Sequence, residues 1–295
     1  MTGFAVITPS YAPDAELFGE LHESVLTHTD AVHHVLVPGA DRALFARHAG
    51  PRCRVWTYGE LLPRRYVPIP KPPLWVNLRR PWPPVRGWVL QQALKIAAAA
   101  RFDADSVLLA DSDVVLVRET TPEVFQIDGT PGLYRNEGAV HAGMRRHVRW
   151  HQVARRLLGV PGTAHPPLPD YVSPFNVWEP EVVRAMQARI TEVTGRHWFD
   201  AFTAELHISE FILYGVFVDE VLGGTPRFSP SPTMFCHTYW DTAPLDEPGA
   251  REFALRRDPD SLALMISAKS GTPREARLAA TRACGNTAGE QRGNN

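Results

Sequence analysis

Cysteine is scarce in this chain. Three residues, Cys53, Cys236 and Cys284, are spread over 295 positions with no CxxC pair. A small, odd and scattered set argues against a disulfide framework and for a reducing compartment. Charge of one sign is also lacking. The net charge is -1, so no general basic field recommends nucleic acid as a partner. No apolar run approaches the ~18 residues of a membrane span. The start, "MTGFAVITPSYAPD", has neither a basic n-region nor a long apolar h-region. The expectation is a soluble cytoplasmic protein. Internal repeats are missing, and so is any linker that would split the chain.

What the chain does have is ordinary globular material, 44% hydrophobic and 21% charged, with 27 prolines. "FAVITPS" reads as a strand buried on both faces, "AELFGELHESVLTH" as an amphipathic helix, and "VHHVLVPG" as a second strand. "DRALFARHA" is a short helix and "RCRVWTYGELL" holds a third strand. The order β-α-β-α-β predicts an α/β domain, a mostly parallel central sheet flanked by helices. Residues 61–88 hold eight prolines, three tryptophans and six Lys/Arg without an acid. That density predicts a loop without regular structure, either packed over the surface or walling an anionic ligand. Beyond about Thr272 the chain turns small and polar. Residues 272–295 are expected to be a flexible tail behind a single domain of residues 1–271.

The run "DSVLLADSDVVLV", residues 105–117, reads as a buried strand, yet Asp111 and Asp113 interrupt it. A carboxylate there is costly unless paired or bound to metal. Alternate residues of a strand share a face. If the strand ends at this point, both carboxylates sit at its C-terminal edge, where open α/β sheets bind ligands. Two carboxylates suit Mn2+ or Mg2+ bridging phosphate oxygens. The plainer alternative is a turn capped by aspartate, with Val114 beginning a new strand.

These features together resemble the GT-A glycosyltransferases, which hold the diphosphate of a nucleotide-sugar through a metal on a DxD motif. More narrowly, "GWVLQQALK", "LLADSDVVLV", "SEFILYG", "CHTYWD" and "MISAKSG" resemble the bacterial GT-A-like family DUF6492. The resemblance implies a metal-dependent glycosyltransferase that takes a nucleoside-diphosphate-sugar donor and a small-molecule or glycan acceptor. It implies that Thr8, Pro9, Ser10 and Tyr11 line base and ribose, and that Ser112 joins Asp111 at the donor. A tyrosine stacks on a base, and an early aspartate accepts hydrogen bonds. Gln91 and Lys95, four apart on one helix face, and Gln92 beside them, are expected at the donor, with Lys95 offsetting diphosphate charge. Lys269 is expected to close over the diphosphate. His237 is expected as a third metal ligand beside Asp111 and Asp113.

Glu210 opens an apolar helical stretch, Phe211 to Tyr214. Desolvation would raise its pKa toward that of a general base, for which the resemblance implies inversion at the anomeric carbon; a Glu210 that is only structural leaves a retaining course open. The alternative is a first-turn glutamate behind an N-cap at Ser209. A sugar-phosphate nucleotidyltransferase would want a Gly-rich basic loop after strand one, which "TPSYAPD" lacks. A phosphohydrolase with an aspartate nucleophile would carry DxD on its first strand. A non-catalytic carbohydrate-binding protein would ignore nucleotides.

Overall fold

The computed structural model describes residues 3–69, 74–223 and 227–292, with side chains as far as Cys284. Strand β1 (Phe4–Pro9) leads through helix α1 (Ala15–His28) to β2 (Val32–Val37), then through α2 (Arg42–Phe45) to β3 (Cys53–Thr57). A short α3 (Tyr58–Leu61) precedes β4 (Tyr66–Ile69), β5 (Leu74–Asn77) and β6 (Arg80–Val85). Helix α4 (Gly87–Arg101) returns the chain to β7 (Ser106–Ala110), followed by β8 (Val114–Leu116). Small strands β9 (Gln126–Ile127), β10 (Thr130–Tyr134) and β11 (Asn136–Val140) precede α5 (Arg145–Leu158). Next come β12 (Leu168–Asp170), β13 (Phe175–Trp178), α6 (Pro180–Thr194), α7 (Trp198–Thr203) and α8 (Glu210–Val216). The chain closes with β14 (Ser229–Ser231), β15 (Cys236–Tyr239), α9 (Glu247–Leu255), β16 (Ala263–Ile266) and α10 (Arg274–Arg292).

The central sheet has the order β13-β7-β1-β2-β3. All its pairings are parallel except β13 with β7. This is the mixed, mostly parallel sheet expected from the β-α-β-α-β order. Side chains alternate along β1 and split the core in two. Ala5 and Ile7 pack with α4, α6 and α8 residues on one face. Val6 packs with Leu21 and Val25 of α1 and with the small β15-β16-β8 sheet on the other. Helix α4 buries Val89, Leu90, Ala93, Leu94 and Ile96. That breadth of apolar surface is what fixes a helix of high intrinsic propensity between sheet and α6.

Three expectations need correction. The run 105–117 is not one strand. Strand β7 ends at Ala110 and the chain leaves the central sheet. It re-enters as β8, paired antiparallel to β16 in another sheet. Residues 61–88 are not a structureless loop. Strands β4, β5 and β6 form an antiparallel sheet of three. The prolines fit because Pro68, Pro81, Pro83 and Pro84 lie on the two edge strands, where a missing N–H is tolerated, while central β5 has none. The Trp82–Pro83 peptide is cis. Residues 274–292 are helical rather than a flexible tail. Ala276, Ala280 and Cys284 pack against Ala250 and Ala254 of α9, and against Leu264 and Ile266 of β16. The alanines that read as low-grade tail composition are the small residues a close helix pair needs.

Candidate active site

The Asp111-Ser112-Asp113 turn is the crossover between two sheets. Asp111 N–H donates to Pro174 O (3.2 Å), and Val114 N–H donates back to Asp111 O (3.1 Å). The three side chains leave the turn in different directions and meet different partners. Lys95 Nζ donates to Asp111 Oδ1 at 2.7 Å and to Glu210 Oε1 at 3.2 Å. Lys95 is 5% exposed and Glu210 4%. The ammonium also lies 5.0 Å over the Phe211 ring. Burial opposes a charge on Lys95, but the carboxylates of Asp111 and Glu210 outweigh it and hold the amine protonated beyond a lysine's ordinary range. Burial pushes Glu210 upward, and Lys95 opposes it.

Glu210 is the first residue of α8. The Ser209 side chain caps the helix by accepting from Ile212 N–H. The Glu210 N–H donates to Gln92 Oε1 (2.9 Å), and Gln92 Nε2 donates to Trp88 O (3.2 Å). Gln92 is therefore a buried strut between α4 and α8.

Ser112 Oγ donates to Asp14 Oδ2 at 3.3 Å. Asp14 makes no side-chain cap to α1. Burial is the main cause that raises its pKa, and the charge of Asp111 adds to it. Asp113 Oδ2 accepts from Ala268 N–H (2.8 Å). Burial and the Asp111 charge push Asp113 up to about 6, against the pull of that amide and of Arg277. Arg277 holds the loop that carries Ala268. Its guanidinium is buried and donates to Ile266 O (2.5 Å), Ser267 O (2.9 Å) and Thr272 O (3.2 Å).

No curated protein matches the chain. The sequence profile of DUF6492, described as a family of unknown function, matches residues 8–254. The chain belongs to this family. Similar solved structures include the galactosyltransferase LgtC in complex with donor and acceptor sugar analogs, at 14% identity and TM-score 0.46 over 96% of this chain and 95% of that one. Mouse xyloside xylosyltransferase 1 is 12% identical, with TM-score 0.48, over 92% of this chain and 100% of that one.

In this DUF6492 protein Asp111, Asp113, Lys95, Gln92, Ser112 and Glu210 converge through α4, the β7–β8 turn and α8. Lys269 sits exposed in the same loop as Ala268, one residue from the amide that binds Asp113. Gln91 reaches the Tyr58 hydroxyl, which lies 3.5 Å from Ser10 O. Thr8, Pro9 and Ser10 are buried, so Tyr11 alone of the four presents its side chain to solvent. Thr8 Oγ1 is bonded inward to His33 Nε2 (2.9 Å). Ser10 Oγ has no partner among the described residues.

His237 is not brought to the aspartates. Its Nε2 bonds to Phe253 O (3.0 Å) and its ring stacks on Phe253 at 4.3 Å. Adjacent residues of a strand face opposite ways. The neighbour Cys236 is the one that feels the charges of Asp113 and Asp111. Among the described residues no group of three His, Cys, Asp or Glu is arranged to hold a metal. The donor set that remains is two hard carboxylates, and one of them, Asp113, titrates upward chiefly because it is buried and also because Asp111 lies beside it. Such a pair fits Mg2+ or Mn2+ whose other ligands come from phosphate and water. Asp14, the early aspartate of "ITPSYAPD", meets Ser112 of the turn. One contributor escaped the sequence reading. Arg277 lies in the segment read as tail, with no local signal to mark it.

Proposed function

We propose that this DUF6492 protein is a glycosyltransferase that moves a sugar from a nucleoside-diphosphate-sugar to a hydroxyl of a small-molecule or glycan acceptor. The anomeric carbon's bond to diphosphate breaks, a bond to the acceptor oxygen forms, and the hydroxyl's proton passes to the departing diphosphate or to water. One observation carries the reading: a buried lysine joins Asp111, at the C-terminal end of a central strand, to Glu210 at the start of α8. It agrees with the family resemblance of "GWVLQQALK", "LLADSDVVLV" and "SEFILYG". A divalent cation on Asp111 and Asp113, Mn2+ or Mg2+, would supply charge stabilisation for the departing diphosphate.

In this reading the chain's own residues prepare that site. Lys95 pairs with Asp111 and fixes one of its oxygens, leaving the other for the cation. Ala268 N–H orients Asp113. Lys269 is the exposed cation available to diphosphate. Lys95, expected at the diphosphate, is instead spent on two carboxylates. Glu210, expected as the general base, is assigned to holding Lys95. A base must come within hydrogen-bond reach of the acceptor proton, and a 4% exposed carboxylate bound to an ammonium is poorly placed for that. This assignment removes the argument for inversion. Tyr11 is the residue offered to a base, and Asp14 or the backbone of Ser10 to ribose.

The test is release of free nucleoside diphosphate from a panel of nucleotide-sugars, followed by mass spectrometry with Mn2+ or Mg2+. Turnover by the native protein and loss of at least ~100-fold in Asp113→Ala would match removal of a charge-stabilising group. Pyrophosphate release from a nucleoside triphosphate and a sugar phosphate would replace the reading with nucleotidyl transfer. Sugar binding without any response to nucleotide would replace it with a carbohydrate-binding protein.

A further inference from the structure

The β4–β6 sheet carries a surface that the site does not use. Asn77 pairs with Arg80 across the β5–β6 hairpin, so Leu78 and Arg79 form its two-residue tip. Such tips favour Gly, Asn and Asp. Here an apolar residue stands at the point, with Leu78 62% exposed. Trp82, on the following strand, is 79% exposed. These two are the most exposed large hydrophobic side chains described. Arg79 and Arg80 adjoin them in the hairpin and Arg64 precedes Arg65, whose carbonyl binds Leu78 N–H; all three arginines are exposed, and none enters an ion pair among the described residues. The nearby acids Asp200 and Glu205 are already taken, Glu205 by Arg156, and Asp200 by the hairpin root. Asp200 accepts from Arg65, Tyr66 and Asn77, at 2.9, 2.7 and 3.0 Å.

That network also makes the tip rigid. Asn77 is buried, Leu78 N–H donates to Arg65 O (2.8 Å), and Arg79 N–H donates to Asn77 Oδ1 (3.0 Å). The hairpin root is bolted to α7 through Asp200, with Thr203 on the Tyr66 hydroxyl (2.8 Å). An exposed leucine and tryptophan held outward by buried polar bonds are not a poorly packed loop. β6 then runs within two residues into α4, the helix that supplies Gln92 and Lys95.

We infer that the β5–β6 hairpin docks on a phospholipid bilayer bearing anionic headgroups, with Leu78 and Trp82 entering the interface and Arg64, Arg79 and Arg80 meeting the headgroups. Tryptophan prefers the membrane–water interface, and basic residues near an anionic leaflet add attraction that fades within a Debye length. Charge complementarity chooses the partner: residues 62–88 hold six Lys/Arg and no acid in a chain whose net charge is -1.

The test is co-sedimentation of the full chain with vesicles of phosphatidylcholine, or of phosphatidylcholine with phosphatidylglycerol, without nucleotide or metal. A failure here therefore leaves the sugar-transfer reading untouched. The expected result is at least tenfold tighter binding to the phosphatidylglycerol vesicles, weakened as salt is raised to ~0.5 M. Leu78→Ser with Trp82→Ser should lose at least tenfold, and Arg79→Gln with Arg80→Gln should erase the lipid preference. Equal binding to both vesicle types overturns the inference. So does unchanged binding by the leucine and tryptophan variant. Competition by a soluble polyanion, with no dependence on Leu78 or Trp82, would make the patch a polyanion site instead.

Discussion

Lys95 stands where an unpaired lysine would be intolerable, and the two carboxylates beside it decide its role. Removing one partner of a buried ion pair costs more than the pair itself contributes, because a charge is left behind. Lys95→Met should lower stability by about 3 kcal/mol in chemical denaturation, the usual scale for such a loss, and should weaken any metal-dependent ligand. Unchanged stability would mean that the lysine does not hold the pair together. Glu210→Gln separates base from anchor. If Glu210 holds Lys95, the variant should lose donor affinity and stability together. A selective fall in kcat with a flattened pH profile would restore it as base. A second residue-scale prediction concerns His22 and His33, whose Nδ1 atoms lie 3.0 Å apart, with His33 Nε2 bonded to Thr8 of β1. Burial chiefly, with nearby His48 and Arg52, holds His22 down to about 4, and burial drives His33 well below the ordinary range. The unfolded chain, with histidines near 6.5, therefore binds more protons between these values. Stability should be fully present above pH 6.5 and fall as pH drops toward 4. Thermal melts across that range check the direction, and His22→Asn should flatten the slope.

At the scale of elements, α10 has the most to lose. Arg277 on that helix clamps the loop whose amide orients Asp113. Truncation after Thr272 should lower the melting temperature and abolish metal-dependent nucleotide binding, whereas a true tail would be removed without effect. Helix α8 has its own constraint. A Cβ on Gly215 would lie 2.2 Å from the Tyr171 ring, so Gly215→Ala should destabilise by about 1–3 kcal/mol, as overpacking does. Differential scanning calorimetry would show it. The regular elements with strong periodicity were readable. The "FAVITP" strand, the α4 helix and the break before Glu210 need only local sequence, since apolar spacing and a Ser209 cap set them. The Asp111–Asp113 turn was half readable. Two carboxylates in an apolar run announce a departure from the core, but which sheet Val114 joins depends on β16, about 150 residues away. The prolines of β4 and β6 misled because proline forbids a central strand and not an edge. His237 misled because strand phase decides its face, and one residue of phase exchanges it with Cys236. Arg277 could not be read at all: nothing local distinguishes a surface arginine from one that closes a loop.

The whole molecule joins two sheets at one turn. The five-stranded sheet supplies β7, the β15-β16-β8 sheet supplies the loop that binds Asp113, and α4 and α8 close the back through Lys95, Gln92 and Glu210. The account's central claim is that this junction takes a divalent cation together with a nucleoside diphosphate. Anything that binds only the folded state raises its melting temperature by mass action. The direct measurement is the thermal shift of the full chain with UDP, GDP, TDP and ADP, each with and without Mn2+. The account predicts that at least one nucleotide stabilises the protein only when Mn2+ is present, and that Asp113→Ala abolishes this. Absence of any shift across the four, or a shift indifferent to both Mn2+ and Asp113, would contradict it.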